Sequence, residues 1–147
     1  MTSEKRAVLE SEIRRVMDSR AESVRSRDSD AAVANVAPDI VSFDVVGELQ
    51  KIGRDECRKR AKEWFSSFEA EINYEMRDLH INADDDIAFC HSLNHVNGRT
   101  QNGQELDMWW RATVCLQKIG GRWLITHEHS SVPFESKTGN ARLDLKP

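Results

Sequence analysis

From Ile72 to Val132 the chain places apolar residues at alternate positions, broken by turn residues and by no stretch of helical spacing. Alternation means that each segment is a strand with one buried face. Strands that follow one another without a helix between them must pair antiparallel, because a parallel pairing needs a crossover of about a dozen residues. Ile72, Tyr74 and Met76 set one phase, and Leu79 and Ile81 take the opposite one, which predicts a bulge near Arg77 and Asp78. Ala83 to Asp86 reads as a loop and Ile87 to Asn97 as a second long strand ended by Asn97-Gly98, with another turn at Asn102-Gly103. Glu105 to Lys118 and Trp123 to Val132 form a hairpin across Ile119-Gly-Gly-Arg122, and Pro133 ends it.

Helical signals lie ahead of this meander. Val8, Leu9, Ile13, Val16, Met17 and Val24 recur at three- and four-residue steps between about Ser3 and Arg27. Asp28 or Ser29 caps a shorter helix through Ala31, Val33, Ala34 and Val36, which Pro38 stops. Ile40 to Val46 reads as a strand ending at Gly47. Gly53 introduces a third helix, about Arg54 to Phe68, with Cys57, Ala61, Trp64, Phe65 and Phe68 on one face. Helices first and strands after predict an α+β fold of one domain over residues 1–147, with 1–3 and 135–147 as flexible or extended tails. A bent sheet covered by helices on one side leaves room for a small-molecule pocket.

Charge narrows the function classes. The 25 acidic and 21 basic residues are interspersed and leave a net charge of -4, so no basic face of the kind that binds nucleic acid is expected. Arg14, Arg15, Arg20, Arg25 and Arg27 alternate with Glu10, Glu12, Asp18 and Glu22, as on a solvated helix face. No segment has the length and apolarity to cross a membrane and no apolar leader opens the chain. Cys57, Cys90 and Cys115 are odd in number and show no C-x-x-C spacing, which reads as reduced thiols in a cytoplasmic protein.

The stretch from Trp109 to Phe134 carries Arg111-x-Thr113, Gly121-x-Trp123-x-Ile125 and His127-x-His129-Ser-Ser131. In this it resembles the closing hairpin of SnoaL-like and ketosteroid-isomerase-like proteins of the nuclear transport factor 2-like superfamily. The element order fits nearly the whole chain. The resemblance implies a cystatin-like cone, three N-terminal helices on a curved mixed or antiparallel sheet, and a homodimer through the outer sheet face. Ser42-Phe-Asp-Val-Val-Gly47 resembles the ketosteroid isomerase segment with the catalytic base, which places that role on Asp44. Arg20 and Ala112 fall where those enzymes hold the tyrosine and the protonated aspartate of the oxyanion hole. Two of three roles are therefore absent, and true steroid Δ-isomerisation is not implied.

Three residues are candidates for acid–base catalysis. Asp44 on an inner sheet face would lose hydration and become a stronger base. His91 shares the phase of Phe89 and Leu93, which predicts an imidazole inside the cavity. Glu128 is inward if it is grouped, as the resemblance implies, with Leu124, Thr126 and Ser130. Simple alternation instead groups His127 and His129 with Trp123 and Ile125, and the sequence leaves that face open. On the first grouping Trp109, Arg111, Thr113, Trp123 and Ile125 share the outer face with the two histidines. Phe43, Trp64, Phe89, Trp110, Arg111, His127, His129 and Ser130 are the candidate ligand-binding residues. A His-x-His pair without a third converging ligand predicts no metal, and no cofactor motif is present. Function is expected to be small-molecule binding with isomerase, cyclase or dehydratase chemistry, or alternatively a non-catalytic dimeric ligand-binding or association module.

Overall fold

The computed structural model describes residues 1–147. Helix α1, Ser3–Arg25, starts where the Thr2 hydroxyl accepts a hydrogen bond from the Lys5 amide at 3.1 Å, and it buries Leu9, Ile13, Met17 and Ala21, one residue per turn. Helix α2 is a single turn, Ser29–Ala32, capped by Asp28. Strand β1, Val36–Phe43, begins earlier than Pro38 predicts, because the helix has already ended and Pro38 lies exposed within the strand. A short strand β2, Lys51–Ile52, precedes helix α3, Arg54–Ser66. Strands β3, Phe68–Ala83, β4, Ile87–Thr100, β5, Glu105–Ile119, and β6, Arg122–Ser131, follow.

These strands make one sheet in the order β2-β1-β6-β5-β4-β3. All pairings are antiparallel except β1 with β6, so the sheet is mixed. The expected bend in β3 is present: the register shifts between Arg77 and His80, and Asp78 has a φ of 56°. Two further boundaries differ from expectation. Phe68 is the first residue of β3, and Gly98 continues β4 instead of turning it, since β4 runs on to Thr100. Beyond β6, the tail turns back through a bridge between Phe134 and Ala141.

The core divides into two clusters. One joins Leu9, Ile13 and Met17 of α1 to Ile40, Cys90, Leu116 and Ile125 of the sheet, and the other gathers Phe65, Phe68, Ile72 and Val96 near the end of α3. Ile13, Ile40, Leu116 and Ile125 are wholly buried, each contributing about 1.5–3 kcal/mol. No helix is long and apolar enough to cross a membrane.

Candidate functional site

Between α1, α3 and the concave face of the sheet lies a cavity of about 520 Å³. One wall is apolar and aromatic. Trp110 of β5 stands 5.9 Å from Tyr74 of β3 and 6.3 Å from Trp64 of α3, and Met76, Met108, Val96 and Leu106 complete it. These residues all sit on inward phases of their strands or on the inner face of α3.

The opposite end is charged. Glu128 of β6 pairs across the sheet with Ser42 of β1, and the Ser42 hydroxyl donates to Glu128 Oε1 at 3.1 Å. Arg20 of α1 closes over the same carboxylate, with its Nη2 2.8 Å from Glu128 Oε2. Burial opposes the Arg20 charge, but the Glu128 carboxylate outweighs it and holds the guanidinium above its ordinary range. Asp44, just past the end of β1, lines the cavity beside Arg60, whose Nε lies 3.2 Å from Asp44 Oδ2, while Oδ1 accepts from the Val45 amide at 2.7 Å. The dehydrated, apolar setting expected for Asp44 is thus replaced by a guanidinium partner. Lys51 and Cys57 also border this end. Burial, reinforced by Glu128, pushes the Cys57 thiol up to about 11, and burial pushes the Tyr74 phenol to about 12. At neutral pH both are neutral.

The phase ambiguity in β6 has a physical resolution. The register between β5 and β6 shifts at Cys115 and Leu116, where Thr126 is the extra residue. Before that bulge Trp123 and Ile125 point inward and are buried; after it Glu128 and Ser130 point inward and line the cavity. Neither simple grouping therefore holds along the whole strand. Trp123 and Ile125 belong to the core, with the Trp123 indole donating to Glu12 at 2.7 Å, and not to the outer face.

His91 and Phe89 also require correction. The inward phase of β4 is Cys90, Ser92, Asn94 and Val96, all buried, so His91 and Phe89 face out. The His91 ring stacks on His80 at 5.1 Å, and Phe89 is 45% exposed. Arg111 donates to Ser131 on the same outer face. His127 and His129 lie there too, against the edge of the Phe43 ring at 4.7 and 5.4 Å, and His127 Nδ1 donates to the Val41 carbonyl at 2.6 Å. Of the candidates, the cavity brings together Asp44, Glu128, Trp64, Trp110 and Ser130, with Phe43 at its border. His91, Phe89, Arg111, His127 and His129 lie outside it.

Ser42, Lys51, Arg60 and Tyr74 are not among the sequence candidates, and Arg20 enters there only as the residue at the position of the oxyanion-hole tyrosine. Arg20 is no part of a solvated face. It follows Met17 by three residues and so continues the buried stripe, which is the signal that could have found it. No group of three or more His, Cys, Asp or Glu side chains is gathered to hold a metal ion.

The family model of the SnoaL-like domain matches residues 13–135. No curated protein matches the sequence. Among solved structures, the chain is similar to a nuclear transport factor 2-like protein of unknown function from Pseudomonas putida, at 32% identity and a TM-score of 0.87 over 96% of this chain and 98% of that one. It is similar in fold to a ketosteroid isomerase-like protein from Erwinia carotovora, at 20% identity and a TM-score of 0.70 over 88% and 97%. The association domain of calcium/calmodulin-dependent kinase II from Caenorhabditis elegans shares that fold at 15% identity and a TM-score of 0.69 over 88% and 99%. With its helices laid over a curved mixed sheet and the family model spanning most of its length, the chain belongs to the SnoaL-like family of nuclear transport factor 2-like proteins.

Proposed function

We propose that the chain binds a small, mostly apolar, carbonyl-bearing molecule in its cavity and acts on it by general acid–base chemistry of the isomerase, cyclase or dehydratase kind. The observation that carries this reading is the pair of carboxylates, Asp44 and Glu128, each held by its own arginine on the wall of a mostly apolar cavity. Asp44 is the base: both its oxygens are oriented, by Arg60 and by the Val45 amide, at the open end of β1. Glu128 is fixed by Arg20 and Ser42 and orients the polar end of the ligand. The Tyr74 phenol, neutral because burial raises it, supplies a donor for a carbonyl oxygen.

The three free cysteines fit a cytoplasmic setting. The outer sheet face, with Trp109, His95 and Phe89, joins two copies of the chain in a homodimer.

The test is a screen of carbonyl-bearing apolar compounds for binding and turnover, repeated on Asp44→Asn. Turnover lost by at least about a hundredfold, with binding kept, is the expected outcome. Compounds that bind both proteins alike and are turned over by neither would instead favour a non-catalytic binding or association module.

A further inference from the structure

The cavity's charges do not cancel. Its wall carries three cations, Arg20, Lys51 and Arg60, against two carboxylates, Asp44 and Glu128. Each carboxylate is already taken by an arginine, at 2.8 Å for Arg20 with Glu128 and 3.2 Å for Arg60 with Asp44. The ammonium of Lys51 has no such partner, unlike those of Lys5 and Lys118, which pair with Asp85 and Glu12.

Register explains why Lys51 faces the cavity. Lys51 is the cross-strand neighbour of Ser42, and Ser42 is the cross-strand neighbour of Glu128. Cross-strand neighbours project to the same side of a sheet, so Lys51, Ser42 and Glu128 form one inward row across β2, β1 and β6. Lys51 ends that row at the sheet edge, half-buried and lining the cavity. A cation held against a mostly apolar cavity without a counterion is a recognition element for an anion. The aromatic part of the wall is made by the rings of Trp110, Tyr74 and Trp64, with Tyr74 tilted against Trp110 and Trp64 meeting it edge to face.

We infer that the ligand class is an amphipathic monoanion: a flat apolar body against the Trp110 wall and one carboxylate, or an equivalent acidic group, on Lys51. This rests on the cavity being a ligand site, as proposed above, and adds the sign and place of the ligand's charge. One negative charge neutralises the wall, whereas a neutral isostere leaves Lys51 uncompensated and a cation meets repulsion.

Calorimetry with naphthalene-2-carboxylate and its neutral amide, on the intact chain at low ionic strength, tests this without a substitution. The acid is expected to bind at least about tenfold more tightly than the amide. Lys51→Met should remove that preference by weakening the acid alone, and Lys51→Arg should restore it. Equal binding of acid and amide to the unsubstituted chain, or a preference that survives in Lys51→Met, overturns the charge assignment and leaves the cavity reading standing. Binding of neither probe overturns both.

Discussion

Two weak acids of the cavity wall, Cys57 and Tyr74, and one of the core, Cys90, make a prediction that no view of surface charge would supply. Burial raises Cys57 and Cys90 from an ordinary 9.0 to about 11, and Tyr74 from 10.0 to about 12. Each group is therefore harder to ionise folded than unfolded, and the unfolded chain releases its protons first. Their contribution to stability is complete below about pH 9 and is lost as pH rises through 11 and 12. Urea unfolding followed from pH 8 to pH 11.5 should show a falling midpoint. Tyr74→Phe should lessen the fall by on the order of 2 kcal/mol at pH 11.5, and an identical decline in both proteins would contradict it. Asp44 and Glu128 could be picked out because the segments that hold them resemble those of a known family, although strand alternation alone left the face of Glu128 open. Their pairing could not: the buried stripe of α1 turns Arg20 inward, but Arg20 lies 108 residues from Glu128 in the chain, and nothing local joins the two.

At the scale of elements, the helix stripes and the long alternating strands were legible because each depends only on near neighbours. What escaped was phase within a strand. One extra residue at Thr126 turns the second half of β6 over, placing Glu128 inward and the two histidines outward. In β4 the small polar Ser92 and Asn94 take the buried side, joined by a 2.7 Å hydrogen bond, while Phe89 and His91 take the exposed one. Hydropathy alone assigns these in reverse, since a paired polar group is inexpensive to bury and an aromatic face is inexpensive to expose when a partner covers it. Asn97-Gly98 reads as a turn in the sequence for a related reason. Gly98 is a strand residue under the wholly buried ring of Phe68, and a Cβ there would come within 2.8 Å of two ring carbons. Gly98→Ala should therefore destabilise the chain by about 1–3 kcal/mol, measured as a shift in denaturation midpoint. Phe68→Leu in the same background should recover part of that loss, and an unchanged midpoint in Gly98→Ala would show that the ring moves freely.

For the whole molecule, the outer sheet face decides whether the chain acts alone. Trp109 lies flat on His95 with ring centroids 4.4 Å apart, Arg77 covers the indole at 4.7 Å, and Phe89 and Ile87 remain 45% and 62% exposed. His95 sits between Glu75 at 3.3 Å and Asp107 at 2.6 Å, so acidic and basic groups alternate around the aromatic centre. A patch that carries both signs around an apolar middle can meet a two-fold copy of itself with opposite charges facing. A stable interface of this kind buries about 1,200–2,000 Å² in total, and a curved sheet whose other side is closed by helices has only this side left to contribute it. Sedimentation equilibrium should give twice the chain mass. Trp109→Glu, which puts a charge at the centre of the face, should shift the population to monomer at micromolar concentration while leaving ligand binding intact, because the neighbouring Trp110 points the other way, into the cavity. A wild-type chain that sediments as a monomer at tenfold higher concentration would mean that this face serves a different partner, and the cavity would then have to be complete within a single subunit.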